Sequence, residues 1–138
     1  MNTKQLSNKK EILTKHQEMV LKLLEKSVEP LKAYSILFNL SKHGVKAPLQ
    51  VYRALDKLME IGKVHKIESK NAFVACINSN CTANSNAAFT ICEECDVISE
   101  IHNNKEILEN LNYLANQEKF KLNKYNLELY ITCKNCLK

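Results

Sequence analysis

At 138 residues, with a formal net charge of +5 and six cysteines, the chain is long enough for one ordinary domain or two small ones, and small domains bury too little surface to stand without reinforcement. No stretch approaches the roughly 18 to 20 consecutive apolar residues of a membrane span, and the opening MNTKQLSNKK lacks the apolar core of a signal peptide, so the expectation is a cytoplasmic protein. The charge is uneven: residues 1–77 carry fourteen Lys or Arg against seven acids, residues 78–138 six against eight. That suits an anionic partner such as DNA or a membrane surface for the front half only, with a plain Lys-rich soluble surface as the alternative.

Helices come first along the chain. In TKHQEMVLKLLEKS, Met19, Val20, Leu23 and Leu24 recur at helical spacing behind Thr14, a fitting N-cap. Pro30 breaks that pattern and can start a second helix, LKAYSILFNLSKH, whose apolar positions are Leu31, Tyr34, Leu37, Phe38 and Leu40 and whose stop is Gly44. A third helix begins near Pro48, which a first turn tolerates, and runs through LQVYRALDKLMEI with Val51, Leu55, Leu58 and Met59 inward, up to Gly62. The period then changes to two: KVHKIES and NAFVACI alternate around Ser69, Lys70 and Asn71, as a hairpin does. Three helices and a hairpin make a winged helix-turn-helix, in which the third helix enters the DNA major groove.

The polar, unperiodic NSNCTANSN that follows reads as a linker. Beyond it AAFTIC and VISEI read as strands, ILENLNYLANQE as a helix with Ile107, Leu108, Leu111 and Leu114 apolar, and YNLELYIT as a last strand. The expected fold class is α+β: a winged helix over residues 1–77, a hinge at 78–86, and a small α/β unit over 87–138 stapled by a metal.

Cytoplasmic thiols stay reduced, so paired cysteines point to metal rather than to disulfides. Cys92-x-x-Cys95 and Cys133-x-x-Cys136 each follow a predicted strand, where a turn can aim two thiolates at one tetrahedral Zn²⁺. Four thiolates leave no open position, so such a site is structural and its binding energy helps to fold the unit. The plain alternatives are two unrelated pairs or a redox motif.

With VYRALDKL in the third helix, GKVHKIESKNAFVAC through the wing, FTICEECDVISE after the linker and ITCKNC at the end, the chain resembles the ferric uptake regulator family, specifically its zinc uptake regulator branch, from about Leu13 onward. The resemblance implies a homodimer of winged-helix and dimerisation domains that represses zinc-acquisition genes when loaded with zinc, with one structural and one regulatory ion per subunit. It also implies a regulatory site joining wing to dimerisation domain, whose matching positions are His65, Cys76 and Glu100. The family's remaining histidine is replaced by Ser85. Cys81, five residues after Cys76, offers a thiolate at a spacing that metal sites tolerate, and His102, two residues past Glu100, is a reserve. Soft thiolate ligands favour zinc over the iron or peroxide signals of other members, which stand as the alternative.

Each candidate ligand has a bland reading: a solvated histidine, a packing cysteine, a solvated glutamate. On the DNA side Arg53, the chain's one arginine among nineteen lysines, lies in the first turns of the third helix, and its guanidinium can pair bidentately with guanine. Its plain alternative is an ion pair with Asp56. Tyr34 and Tyr52 resemble family positions that meet double-stranded DNA, although half-buried tyrosines are the commoner case. Lys46, Lys57, Lys63, Lys66 and Lys70 are expected to contact phosphates collectively. The positions that form a salt bridge between dimers in the branch are Phe38 and Ser41 here, which cannot form one. Two readings from other classes remain: a zinc enzyme, for which no H-E-x-x-H or deaminase pattern appears, and a zinc-stabilised interaction module.

Overall fold

The computed structural model describes residues 12–77, 86–101 and 105–138. Three helices lead: α1 Lys15–Lys26, α2 Ala33–Leu40 and α3 Pro48–Glu60. Thr14 and Gln17 cap α1 reciprocally, the Thr14 hydroxyl accepting the Gln17 amide at 3.2 Å and the Gln17 side chain accepting the Thr14 amide at 2.9 Å. Gly44 follows α2 and a single 3₁₀ turn, Ser41–His43, at φ 96, a conformation that costs a side-chain-bearing residue energy and glycine none. Pro48 opens α3, and just ahead of it the Gln50 side chain accepts the amides of Lys46 and Ala47 at 2.8 and 3.1 Å.

Val20, Leu24, Ile36, Leu40, Val51, Leu55 and Leu58 meet in one core. Two expectations fail at α2. Its buried stripe is Ala33, Ile36 and Leu40, while Tyr34 and Phe38 are 69% and 82% exposed. Pro30 does not start the helix either, because Leu31 exchanges two backbone hydrogen bonds with Phe73, at 3.0 and 2.8 Å, and so is held extended against the hairpin. A helix apolar on most sides gives no preferred face from spacing alone, and the small Ala33 lets α2 approach its neighbours closely.

The hairpin pairs β1, Val64–Ile67, with β2, Ala72–Ala75, through a 3₁₀ turn at Glu68–Lys70 and a left-handed Asn71. Both of its faces are covered. Val64, Phe73 and Ala75 pack on the helical core, whereas Ile67 and Val74 pack on Ala87, Phe89, Ile91 and Ile98. These last belong to a second sheet of order β4-β3-β5, with β3 Ala87–Cys92 central, β4 Ile98–Glu100 antiparallel to it, and β5 Asn126–Ile131 parallel. The wing is thus the filling between the helices and the rear sheet. The expected hinge falls, apart from Asn86, outside the described residues.

Helix α4, Lys105–Gln117, buries none of its residues. Its Leu108, Tyr113 and Leu114, with Phe120 beyond it and Leu129 and Tyr130 on β5, remain exposed. No helix among the described residues is long and apolar enough to cross a membrane.

Candidate metal centres

The parallel pairing of β3 with β5 creates the first centre. Cys92 ends β3 opposite Ile131 on β5, so the chain leaves both strands at the same end of the sheet and the two Cys-x-x-Cys turns lie side by side. Each turn is closed by its own backbone: the Asp96 amide donates to the Cys92 carbonyl at 2.9 Å, and the Cys136 amide to the Cys133 carbonyl at 2.9 Å. The ligand atoms of Cys92, Cys95, Cys133 and Cys136 lie within 4.8 Å of one another. Cys95 and Cys133 Sγ are 3.7 Å apart, and a tetrahedron with 2.3 Å Zn–S bonds has an edge of about 3.8 Å. The four sulfurs therefore fit zinc.

Their protonation fits as well. The Cys133 amide donates to Cys92 Sγ at 3.3 Å, and this and other amides lower the Cys92 thiol to about 6. The neighbouring Cys133 and Cys95 side chains push Cys136 up to about 12. Crowded sulfurs can shed one proton readily but not all four, and a dication at their centre removes that restriction.

The second centre sits between wing and rear sheet. The side chains of His65 and Glu100 are each 8% exposed, with Nε2 and Oε1 3.7 Å apart. That gap is too long for a hydrogen bond, and a few tenths of an ångström beyond the roughly 3.3 Å separation of N and O ligands on a tetrahedral zinc. Cys76 completes a triad whose ligand atoms lie within 4.8 Å of one another.

The elements position each member. His65 is held by β1 with its ring edge-on to Phe89 at 5.9 Å, and Glu100 stands on β4 directly opposite Phe89. Cys76 follows β2, its amide bonded to the Lys63 carbonyl at 2.9 Å. Burial lowers the His65 pKa, with Glu100 opposing, and so favours the neutral imidazole that a metal needs. Cys76 carries a disulfide, so metal binding there requires its reduced form.

The structure thus brings together seven of the eight expected ligands; Cys81, like Ser85 and His102, lies outside the described residues. Sequence reasoning missed Phe89, the platform against which His65 and Glu100 are set. Its place in the alternation of AAFTIC was visible, but not that the wing would cover that face.

On the other side of the molecule Tyr34, Tyr52 and Arg53 are exposed on α2 and α3. Several of the expected phosphate-binding lysines have acid partners instead: Lys57 with Glu60 at 3.9 Å, Lys66 with Glu68 at 3.4 Å and Lys70 with Asp96 at 3.3 Å.

Comparison with known proteins agrees with this arrangement. The zinc uptake regulation protein of Escherichia coli (strain K12) is 38% identical over 89 residues, 64% of this chain and 52% of that protein, and the protein of the same name from Shigella flexneri matches equally. The match thus spans about half the length of these curated relatives. Holo XcZur superposes with a TM-score of 0.79 at 37% identity, covering 90% of this chain and 85% of that one. A zinc uptake regulator complexed with zinc and DNA superposes with a TM-score of 0.81 at 31% identity, covering 93% and 85%. The sequence model of the ferric uptake regulator family matches residues 9–130, and the chain belongs to that family.

Proposed function

We propose that the chain is a zinc-responsive transcriptional repressor: a cytoplasmic, non-enzymatic homodimer that binds double-stranded operator DNA when loaded with zinc and controls zinc-uptake genes. The observation that carries this reading is the triad of His65, Cys76 and Glu100, which draws its ligands from both the wing and the rear sheet. An ion held there stabilises one arrangement of the two units, and a dimer must hold its recognition helices at a fixed separation to read a two-fold operator. Zinc then raises DNA affinity by selecting that arrangement, and by linkage DNA tightens zinc equally. The thiolate in the set favours zinc over iron. The Cys₄ centre has no open position and serves the fold. A second copy would cover the apolar residues of α4 and β5 left exposed in one chain.

The test is operator binding titrated against free zinc, with the operator obtained by selection from random DNA. Affinity should rise with zinc and fall when a mild chelator strips the exchangeable ion while one tightly held ion per chain stays. An unchanged affinity refutes the switch, and a response to iron(II) in zinc's place assigns the signal to the family's other branch.

Arg53 supplies an independent check on the DNA face. Arg53→Ala should weaken operator binding by about 1–3 kcal/mol and flatten the preference at one guanine. Arg53→Lys should recover part of the affinity, since the charge remains, and little of the preference, since the bidentate fork does not. Equal binding by all three forms would remove Arg53 from the interface.

A further inference from the structure

The wing is fastened to the rear sheet at a second place, away from the triad of His65, Cys76 and Glu100. In register, Phe89 on β3 lies opposite Glu100 on β4 and opposite Glu128 on β5. Cross-strand partners share a face, so one carboxylate flanks Phe89 on each side and both face the wing. Glu100 reaches His65 and, at 3.5 Å, the Ile77 amide. Glu128 reaches the opposite end of the hairpin, where both its oxygens accept the Ser69 amide at 3.2 Å.

Ser69 lies in the 3₁₀ turn Glu68–Lys70, whose early amides have no partner within the turn. Beside it, Lys70 Nζ meets Asp96 Oδ1 at 3.3 Å. Asp96 is the residue after Cys95, at φ 62, with its amide tied to the Cys92 carbonyl, so the Cys₄ turn itself fixes that carboxylate.

We propose that Glu128, assisted by Asp96, is a clamp on the wing tip, independent of the sensing ion, that pre-sets the closed arrangement and thereby sets how much zinc the sensing site requires. The zinc half of this rests on the function proposed above. Glu128 leads because a carboxylate accepting a backbone amide forms a charge-assisted bond, whereas an exposed Lys–Asp pair contributes little by itself. A bond made only in the closed form enlarges the closed fraction with or without metal. Apparent zinc affinity scales with that fraction. Lys70, so engaged, is a positioning residue rather than a phosphate contact.

The experiment uses the full chain carrying its tightly held zinc, with Glu128→Ala and the isosteric Glu128→Gln. Hydrogen exchange at the Ser69 amide should quicken by about tenfold in Glu128→Ala and less in Glu128→Gln. The free-zinc midpoint for operator binding should rise by roughly threefold to tenfold, with a smaller change at saturating zinc and one chelator-resistant zinc still held per chain. Lys70→Ala should shift the midpoint in the same direction by less. Unchanged exchange at Ser69 overturns the clamp, and faster exchange with an unmoved midpoint overturns its part in sensing. If wild-type operator binding ignores zinc, the proposed function fails and the zinc half with it, and the Ser69 exchange rate still decides the clamp itself.

Discussion

Cys92→Ser should abolish the tightly held zinc and unfold the rear unit while sparing most of the front one. Structural zinc sites of this type contribute apparent binding energies of about 10–16 kcal/mol at neutral pH, which equals or exceeds the roughly 5–15 kcal/mol of net stability of an ordinary domain. The rear unit has little with which to replace that. Helix α4 buries none of its residues, and the apolar cluster around Ala87, Phe89 and Ile91 is completed by Ile67 and Val74 of the wing. Cys92 is itself fully buried at the end of the central strand and accepts the Cys133 amide; a serine oxygen there can still accept that amide but is not a thiolate, so the substitution acts by removing a zinc ligand.

The helical core around Val20, Ile36, Leu55 and Leu58 draws on no residue beyond Ala75. The expected outcome is a chain with no chelator-resistant zinc, amide protection retained in α1 and α3, and protection lost in β3 and β5. A metal-free variant with the wild-type melting transition would show that the four sulfurs do not hold the unit together.

What the sequence disclosed and withheld has a common physical cause. Elements marked by their own residues were legible: Thr14 as a cap, Pro48 as a helix start, Gly44 as a stop, and the two Cys-x-x-Cys turns as one site. Which face an element turns to its neighbour was not. Tyr34 and Phe38 looked like the inner stripe of α2 and are exposed, because Ala33 and Ile36 occupy the contact.

The wing carried a clue that the alternation reading passed over. Val64 and Ile67 lie on opposite faces of β1 and both are buried, which only a hairpin covered on both sides allows. The triad was placed through the family resemblance and not through spacing. His65 and Glu100 are 35 positions apart, and what unites them is Phe89 between two strands. Glu128 had no signal beyond being the one acid in the last strand.

His65→Ala should leave the Cys₄ ion in place and remove the response to zinc. Replacing even an outer partner of a metal ligand costs about 10- to 100-fold in affinity, so loss of a ligand from a site with three described members should raise the zinc midpoint by at least about a hundredfold. The operator affinity gained on loading, on the usual scale of about 1–3 kcal/mol for coupled sites, should vanish over the accessible zinc range.

Glu100→Gln separates the metal's part from packing. It keeps the side chain's size and its reach to the Ile77 amide but withdraws the charge that faces His65, so it too should raise the midpoint, and by clearly more than Glu128→Gln does, whereas a role confined to fastening the wing predicts no more than the Glu128→Gln shift. Reductant must be present throughout, because Cys76 ligates only as a thiolate. Cys81→Ser under the same conditions decides the fourth position, since an unmoved midpoint removes Cys81 from the site. A His65→Ala chain that titrates with zinc like the wild type would place the sensing ion elsewhere and overturn the assignment of this triad.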